Sequence, residues 1–219
     1  EQDDKSINKD WNGLEIRPKT FLEFVELICW IANQSPTAAV DDELFGLNAY
    51  NRAVKNLGSK DQIKNVRCVF IDGLTKLSEL ALTWAKQQPE VTTKNGAYNG
   101  MKAYGLISEK LIDIINHIHF NMDKHVFFTG LLTSKVGEDG SNVIDYVYTG
   151  QSNHRIDSIF DCILTLAKLP NPENPSVSDR LLVCSDENPY GFSSRNRGNR
   201  LNITEKPNLS QIIKKYKQK

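Results

Sequence analysis

The sequence predicts an α/β fold: a mostly parallel sheet covered by helices and extended towards the C-terminus by antiparallel strands. Val66–Ile71 (VRCVFI) is a nearly continuous apolar and β-branched run, typical of a strand buried on both faces. Strand-like and helix-like segments alternate over the first two thirds, whereas the later strands lack intervening helices. With 219 residues, 39% of them hydrophobic and 25% charged, the chain is expected to form one domain over residues 1–219.

The segment before Val66 is expected to hold one strand and one main helix. Residues 1–13 are polar and typical of a loop, and Leu14–Ile16 is a candidate short strand. In KTFLEFVELICWIA the apolar residues recur at intervals of three and four, which predicts a helix with a wide buried face. Residues 34–60 combine Pro36, an acidic cluster and Gly58, which favours a loop with room for one short helix.

After Asp72 the apolar spacing becomes helical up to about Gln88. The further elements expected are a helix at about Tyr104–Asn121, a strand at His125–Leu132, a loop or small hairpin over 133–155, strands at about Ser158–Ala167 and Arg180–Ser185 joined by a Pro/Asn linker, and a C-terminal helix from about Asn208.

Charge and cysteine content limit the possible partners. Lys+Arg and Asp+Glu both number 27, so no global field draws the protein to nucleic acid or membrane, and any polyanion site must be local. Three of the four cysteines lie in apolar runs, which favours buried reduced thiols. No apolar run approaches the ~20 residues of a membrane span. We therefore expect no membrane partner and a cytoplasmic location, in the host cytoplasm if the protein is viral.

Asp72 is the most informative single residue. A buried strand that ends in Asp and turns directly into a helix places a carboxylate at the carboxyl edge of the sheet, where open α/β folds bind their ligands. Such a carboxylate can orient the water shell of Mg²⁺ between nucleotide phosphates. An Asp that simply caps the following helix is the alternative.

The order of segments over roughly residues 60–219 resembles the RecA-like ATPases that bacteriophages and bacteria use in recombination and single-strand handling. The resemblance is carried by FIDGLTKL, HVFFTGLLTSK, RIDSIFDCILTL, RLLVCSDE and SSRNRGNRL. It implies a RecA-like sheet, ATP and Mg²⁺ as ligands, and a homo-oligomer. Asp72 would be the Walker-B acid, and Thr129 would sense the γ-phosphate. Alternatively, Thr129 is an ordinary hydroxyl bonded to backbone.

The same resemblance gives Arg195 and Arg197 a role between subunits. They would correspond to a basic pair that reaches the neighbour's nucleotide site as an arginine finger does. This chain has Arg-Asn-Arg-Gly where Lys-x-Arg is expected. A solvated surface loop is the alternative.

One expected motif is absent. The sequence contains no Gly-Lys-Ser/Thr and therefore no P-loop to cradle the phosphates. Relatives carry that loop near their start, followed by a strand ending in Asp-x-Glu. Glu1 would then be the last residue of this second motif and activate the attacking water, and the chain would lack its first strand–P-loop–helix unit. A degenerate, non-hydrolysing relative is the alternative.

The expected function is an ATP-dependent recombination or annealing ATPase core that binds single-stranded DNA, with little hydrolysis by this chain. The alternative is a non-catalytic RecA-like binding or assembly module. DNA contacts are expected in loops at about 88–103 and 133–155, with Lys94, Lys102 and Lys135 as candidates. Exposed loops without a ligand are the competing interpretation. His117 and His119 lack metal-ligand spacing, and no G-x-S-x-G elbow supports serine catalysis.

Overall fold

A computed structural model describes residues 13–32, 44, 46–93, 95–136, 142–146, 156–171, 174 and 176–217. Within these ranges the α-helices are α1 (Phe21–Ala32), α2 (Leu47–Leu57), α3 (Leu74–Ala85), α4 (Gly100–Asn121) and α5 (Leu209–Lys217). The strands are β1 (Cys68–Ile71), β2 (His125–Phe128), β3 (Leu132–Val136), β4 (Asn142–Tyr146), β5 (Cys162–Ile163), β6 (Thr165–Pro170), β7 (Ser178–Val183), β8 (Arg195–Asn196) and β9 (Thr204–Glu205). Short 3₁₀ helices cover Lys60–Ile63 and Pro89–Val91.

The main core lies between the parallel pair β1–β2 and three helices. The two strands pair in register from Cys68↔His125 to Ile71↔Phe128. Side chains of α1, α3 and α4 pack together with Ile71 in one buried cluster. A parallel pair needs a long crossover, and here α3 and α4 supply it between β1 and β2. The carboxyl ends of both strands consequently meet at one edge.

Helix α1 confirms the helix predicted from KTFLEFVELICWIA. Its start is fixed by Thr20, whose Oγ1 accepts a hydrogen bond from the Glu23 N–H at 3.1 Å. The Glu23 carboxylate in turn accepts one from the Lys19 N–H at 2.6 Å. This arrangement differs from a capping box in that Glu23 accepts from the residue before Thr20, but it likewise fixes the first turn of the helix.

Helix α2 occupies much of the segment in which the sequence left room for one short helix. Its buried residues are Ala49 and Ala53, and Ala53 packs with Trp30 and Ile63 in a second apolar cluster. A polar contact joins it to α1: the buried Glu26 carboxylate accepts hydrogen bonds from Arg52 at 2.8 Å and Asn56 at 3.3 Å. This contact could not be read from a hydrophobic pattern.

Two sequence predictions about strands were wrong. Leu14–Ile16 is not a strand; the segment is exposed and forms no strand pairing within the described ranges. The mostly parallel sheet is not found there either. β1–β2 is the parallel strand pair of this part, and the other strand pairs are antiparallel. The predicted strand His125–Leu132 instead breaks after Phe128, and its end starts the β3–β4 hairpin, whose short connection leaves no room for a parallel crossover.

A third prediction needs a similar correction. Val66–Ile71 was expected to be buried on both faces, but α1, α3 and α4 all share one cluster with Val69 and Ile71. On the opposite face Phe70 is 51% exposed and stacks on Phe127, with ring centroids 4.9 Å apart. Within the described part of the chain, the parallel pair is therefore covered on one face.

The antiparallel C-terminal strands are confirmed, with shifted bounds. The predicted strand Ser158–Ala167 begins later, at Cys162, because residues 158–159 form a turn after the helical Ile156, which is fully buried in the main core. The strands that follow form a β5–β8 pair and a β6–β7–β9 sheet. The Pro/Asn segment expected as a linker is the turn of the β6–β7 hairpin, whose register ends at Pro170↔Ser178. Helix α5 confirms the predicted C-terminal helix.

Candidate functional site

Asp72 and Thr129 lie side by side at the carboxyl edge of the parallel pair. Each residue directly follows its strand, β1 or β2, and both are exposed. The Thr129 hydroxyl donates a short hydrogen bond to the Asp72 carboxylate. The carboxylate thus points to the open edge of the sheet and not into the core, as the sequence interpretation required.

The backbone around this pair is closely packed. The Thr129 N–H donates to the Ile71 carbonyl at 3.1 Å, and the Leu74 N–H donates to the Thr129 carbonyl at 2.6 Å. A side chain at Gly73 would place its Cβ 3.1 Å from Thr129 Oγ1 and 3.4 Å from Thr129 O. Glycine therefore allows the start of α3 to approach the end of β2, and it holds Asp72 and Thr129 in fixed relation. The peptide bond between Asp72 and Gly73 is cis.

The donor set fits a magnesium ion that is shared with a phosphate ligand. Carboxylate and hydroxyl oxygens are the hard donors that Mg²⁺ prefers, and Mg²⁺ usually takes one or two carboxylates plus substrate phosphates and water. Among the described residues, no group of three or more His, Cys, Asp or Glu side chains could hold a metal alone. Asp72 could therefore supply one ligand or orient a coordinated water, and the remaining ligands would come from elsewhere. Helix α3 begins at Leu74, so the positive end of its dipole faces the same edge.

Arg195 and Arg197 are both held by one short segment of the same chain. The Arg195 Nη2 donates a short hydrogen bond to the Asp157 carbonyl, and its Nε is buried without a hydrogen-bond partner. The Arg197 Nη2 donates to the Ser158 carbonyl at 2.6 Å, and its Nη1 lies 3.8 Å from Asp161. The Arg197 side chain is 54% exposed, so it is the more available of the two.

This segment also adjoins the end of β2. Phe160 packs edge-on against Phe128, the residue before Thr129, with ring centroids 5.4 Å apart. Neither arginine contacts Asp72 or Thr129 within the described part of this chain. The structure therefore brings together Asp72 with Thr129, and separately Arg195 with Arg197.

The three candidate DNA-contacting lysines are not joined into one site by any described contact. Lys102 is exposed in the first turn of α4, where its N–H donates to the Asn99 carboxamide at 3.1 Å. Lys135 lies on β3, and nothing is described of its side chain. Lys94 lies outside the described residues, as does Glu1.

Sequence reasoning missed two features of this edge. Gly73 was not singled out, although a glycine directly after a strand-ending Asp is a signal for close backbone approach. The Phe70–Phe127 stack was missed because an apolar strand does not show which face is covered. The described chain also contains a cavity of about 560 Å³ in its C-terminal part, lined by residues such as Ser185, Asn196 and Thr204 and not by the Asp72 edge.

Comparison with known proteins gives one match. The family model described as AAA domain matches residues 5–197. Searches of curated proteins and of solved structures found no match. Within the described ranges, none of the helices has both the length and the hydropathy of a membrane span.

Proposed function

The chain belongs to the AAA domain family, and from this we propose that it is a nucleotide-binding, ATPase-like module with Mg-ATP at the carboxyl edge of β1 and β2. The observation that carries the proposal is the exposed, hydrogen-bonded pair of Asp72 and Thr129 at the ends of adjacent parallel strands. Open α/β folds bind ligands at this edge. An Asp kept only to cap α3 would not explain the pair, because Gly73, and not Asp72, is the residue directly before the helix.

Each residue of the pair has a distinct role in this proposal. The Asp72 carboxylate orients the water shell of Mg²⁺, and the ion offsets the negative charge of the phosphates. Thr129 fixes the carboxylate through its hydrogen bond. It would lie beside the terminal phosphate of ATP, so that the surroundings of its side chain change when this phosphate is lost. The hairpin β3–β4 begins only three residues later, and Leu131 beside it is 68% exposed. We propose that nucleotide state is transmitted to this hairpin.

We also propose that the phosphate cradle belongs to a segment outside these 219 residues. The sequence contains no P-loop motif, and parallel strands normally have both faces covered. Phe70 and Phe127 form an apolar stack on a face that no described helix covers. A strand–P-loop–helix unit placed there would cover the stack and bring its phosphate loop to the edge that holds Asp72.

A neighbouring subunit would complete the site. Arg197 is exposed and held by the Ser158 carbonyl and the Asp161 carboxylate of its own chain, and its remaining guanidinium donors can reach outward. We propose a homo-oligomer in which Arg197 stabilises phosphoryl charge in the next subunit, with Arg195 supporting the loop. As its biological role we propose recombination or annealing on single-stranded DNA, with Lys94, Lys102 and Lys135 in the contacting loops.

The proposal is tested by comparing ATP hydrolysis by this chain with that by a form extended upstream through the missing phosphate loop. The short chain is expected to show background turnover, and the extended form to show Mg²⁺-dependent turnover within the ordinary range of about 1–100 per second for phosphoryl-transfer enzymes. Equal, robust turnover by both forms would contradict the proposed division of the site.

The second candidate is a non-catalytic binding or assembly module. Its support is the missing Gly-Lys-Ser/Thr motif. It predicts that neither form hydrolyses ATP and that replacing Asp72 leaves every function unchanged. Comparing the 219-residue chain with the upstream-extended form therefore distinguishes an ATPase from a non-catalytic module.

A further inference from the structure

The C-terminal part of the chain concentrates positive charge that the rest of the chain balances. Over the whole sequence, Lys+Arg and Asp+Glu are equal at 27 each. Residues 195–217 contain a single acidic residue, Glu205, against seven basic ones: Arg195, Arg197, Arg200, Lys206, Lys214, Lys215 and Lys217. The protein has no net charge, but this segment creates a positive electrostatic field close to its own surface.

Two further cations lie side by side on neighbouring strands of the β6–β7–β9 sheet. Lys168 on β6 is directly opposite Arg180 on β7, and both are exposed. Directly opposed residues of an antiparallel pair have Cβ atoms about 4.5–5.5 Å apart, and like charges there are destabilising. Neither side chain has a hydrogen bond or ion pair with the described residues. The sheet therefore maintains a repulsive pair that a bound anion would relieve.

Helix α5 packs on the side of this sheet that carries Lys168 and Arg180. Lys168 and Arg180 are exposed, whereas their neighbours along the strands are buried or half-buried, and both lie on the same side of the sheet as Leu182. Leu182 packs in one cluster with Ile212 of α5, so the helix covers one end of the face and leaves the Lys168–Arg180 end open. Lys214 and Lys217 on the helix are exposed.

Glu205, the acidic residue of the 195–217 segment, is paired with a lysine and would not repel a bound anion. Glu205 forms an ion pair with Lys215 at 2.5 Å. Burial works against its ionisation, but hydrogen bonds from Lys215 and Asn202 and the charge of Lys215 hold the pKa of Glu205 below its usual range. Asp179 lies on β7 beside Arg180 but on the opposite face of the sheet, and it accepts a hydrogen bond from Asn171 at 2.8 Å.

The face is suited to phosphates and not to base stacking. Its aromatic residue Tyr216 is half-buried, and the Arg200 guanidinium lies 5.5 Å from the centre of its ring. Single-strand binding sites usually offer free aromatic rings to the bases, whereas backbone recognition needs only an array of cations. A duplex carries a higher density of phosphate charge than a single strand.

We propose that Lys168, Arg180, Lys214 and Lys217, with Arg200, form a basic face that binds the phosphate backbone of double-stranded nucleic acid without sequence preference. This face lies on a different sheet from Asp72 and Thr129. The inference therefore does not depend on the nucleotide site and can fail separately from it.

The test is duplex DNA binding by the variant Lys168→Gln/Arg180→Gln, measured without nucleotide at several salt concentrations. Losing two phosphate contacts is expected to weaken binding by on the order of tenfold or more and to lower the slope of log affinity against log salt by about 2. The free energy of unfolding should stay equal or rise slightly, because a like-charge pair is removed. Single-strand binding, which the proposed function assigns to the loops with Lys94, Lys102 and Lys135, should be weakened less by this variant than duplex binding.

The matched control is Lys64→Gln/Arg67→Gln, which removes two exposed cations before β1. It changes the net charge equally and should leave duplex affinity within about twofold. Equal weakening by both variants, or no weakening by Lys168→Gln/Arg180→Gln, would overturn the proposal. Binding to anionic phosphatidylserine vesicles without binding to duplex would overturn it as well, because the partner would then be a membrane surface.

Discussion

Asp72→Asn is expected to lower Mg²⁺-dependent ATP hydrolysis by about a thousandfold in the form of the protein that carries a phosphate loop. The substitution keeps an oxygen that can accept the hydrogen bond from Thr129 but removes the charge that Mg²⁺ needs. Because Asp72 is exposed, the free energy of unfolding should change by no more than about 0.5 kcal/mol. Steady-state turnover and chemical denaturation, measured on the same preparation, separate the two effects.

Asp123→Asn is the matched control. Asp123 is also exposed and lies just before β2, at the opposite edge of the same strand pair. It should retain turnover within about twofold, because only the carboxyl edge binds the ligand. Unchanged turnover in Asp72→Asn would remove the catalytic interpretation of this site, whereas a large loss of stability would show that Asp72 is structural.

Arg197→Ala is expected to lower turnover by about a thousandfold while leaving the affinity for ATP nearly intact. The reason is that an arginine supplied by a neighbour acts on charge that develops in the transition state. The variant also loses the hydrogen bond to the Ser158 carbonyl, a part-exposed contact on the order of 1 kcal/mol. Arg67→Ala, at an exposed arginine before β1, should retain turnover.

Mixing two inactive variants tests whether Arg197 acts between subunits. An oligomer of Asp72→Asn and Arg197→Ala chains contains some interfaces that combine an intact Asp72 with an intact Arg197 from the neighbour. Partial recovery of turnover on mixing is therefore expected. If each variant is inactive and no mixture recovers, Arg197 acts within its own chain or supports only the loop around Asp157.

The sequence predicted those elements whose own residues determine them. The apolar spacing of α1, α3 and α4 located these three helices, because each buries one continuous stripe. The position of Asp72 directly after β1 followed from the apolar strand pattern, whereas Thr129 was named only from the resemblance to RecA-like ATPases. The hydrogen bond between these two side chains was not predicted.

The features that could not be predicted from the sequence depend on pairing between distant segments. An apolar strand does not reveal how many faces are covered, so the exposure of Phe70 was hidden. The opposition of Lys168 and Arg180 exists only in the β6–β7 register. The polar contacts that join α2 to Glu26 were hidden for the same reason, because they exist only once α2 packs against α1.

The central claim, that a divalent ion and a triphosphate lie at the Asp72 edge, is tested most directly with Mn²⁺ in place of Mg²⁺. Mn-ATP added to the methyl-labelled, upstream-extended protein should broaden the methyl resonances of Thr129 and Ile71 while sparing those of Thr204 and Ile212. Replacement of Asp72 by Asn should remove the effect. Broadening centred on Thr204, or none at Thr129 when ATP is bound, would contradict the account.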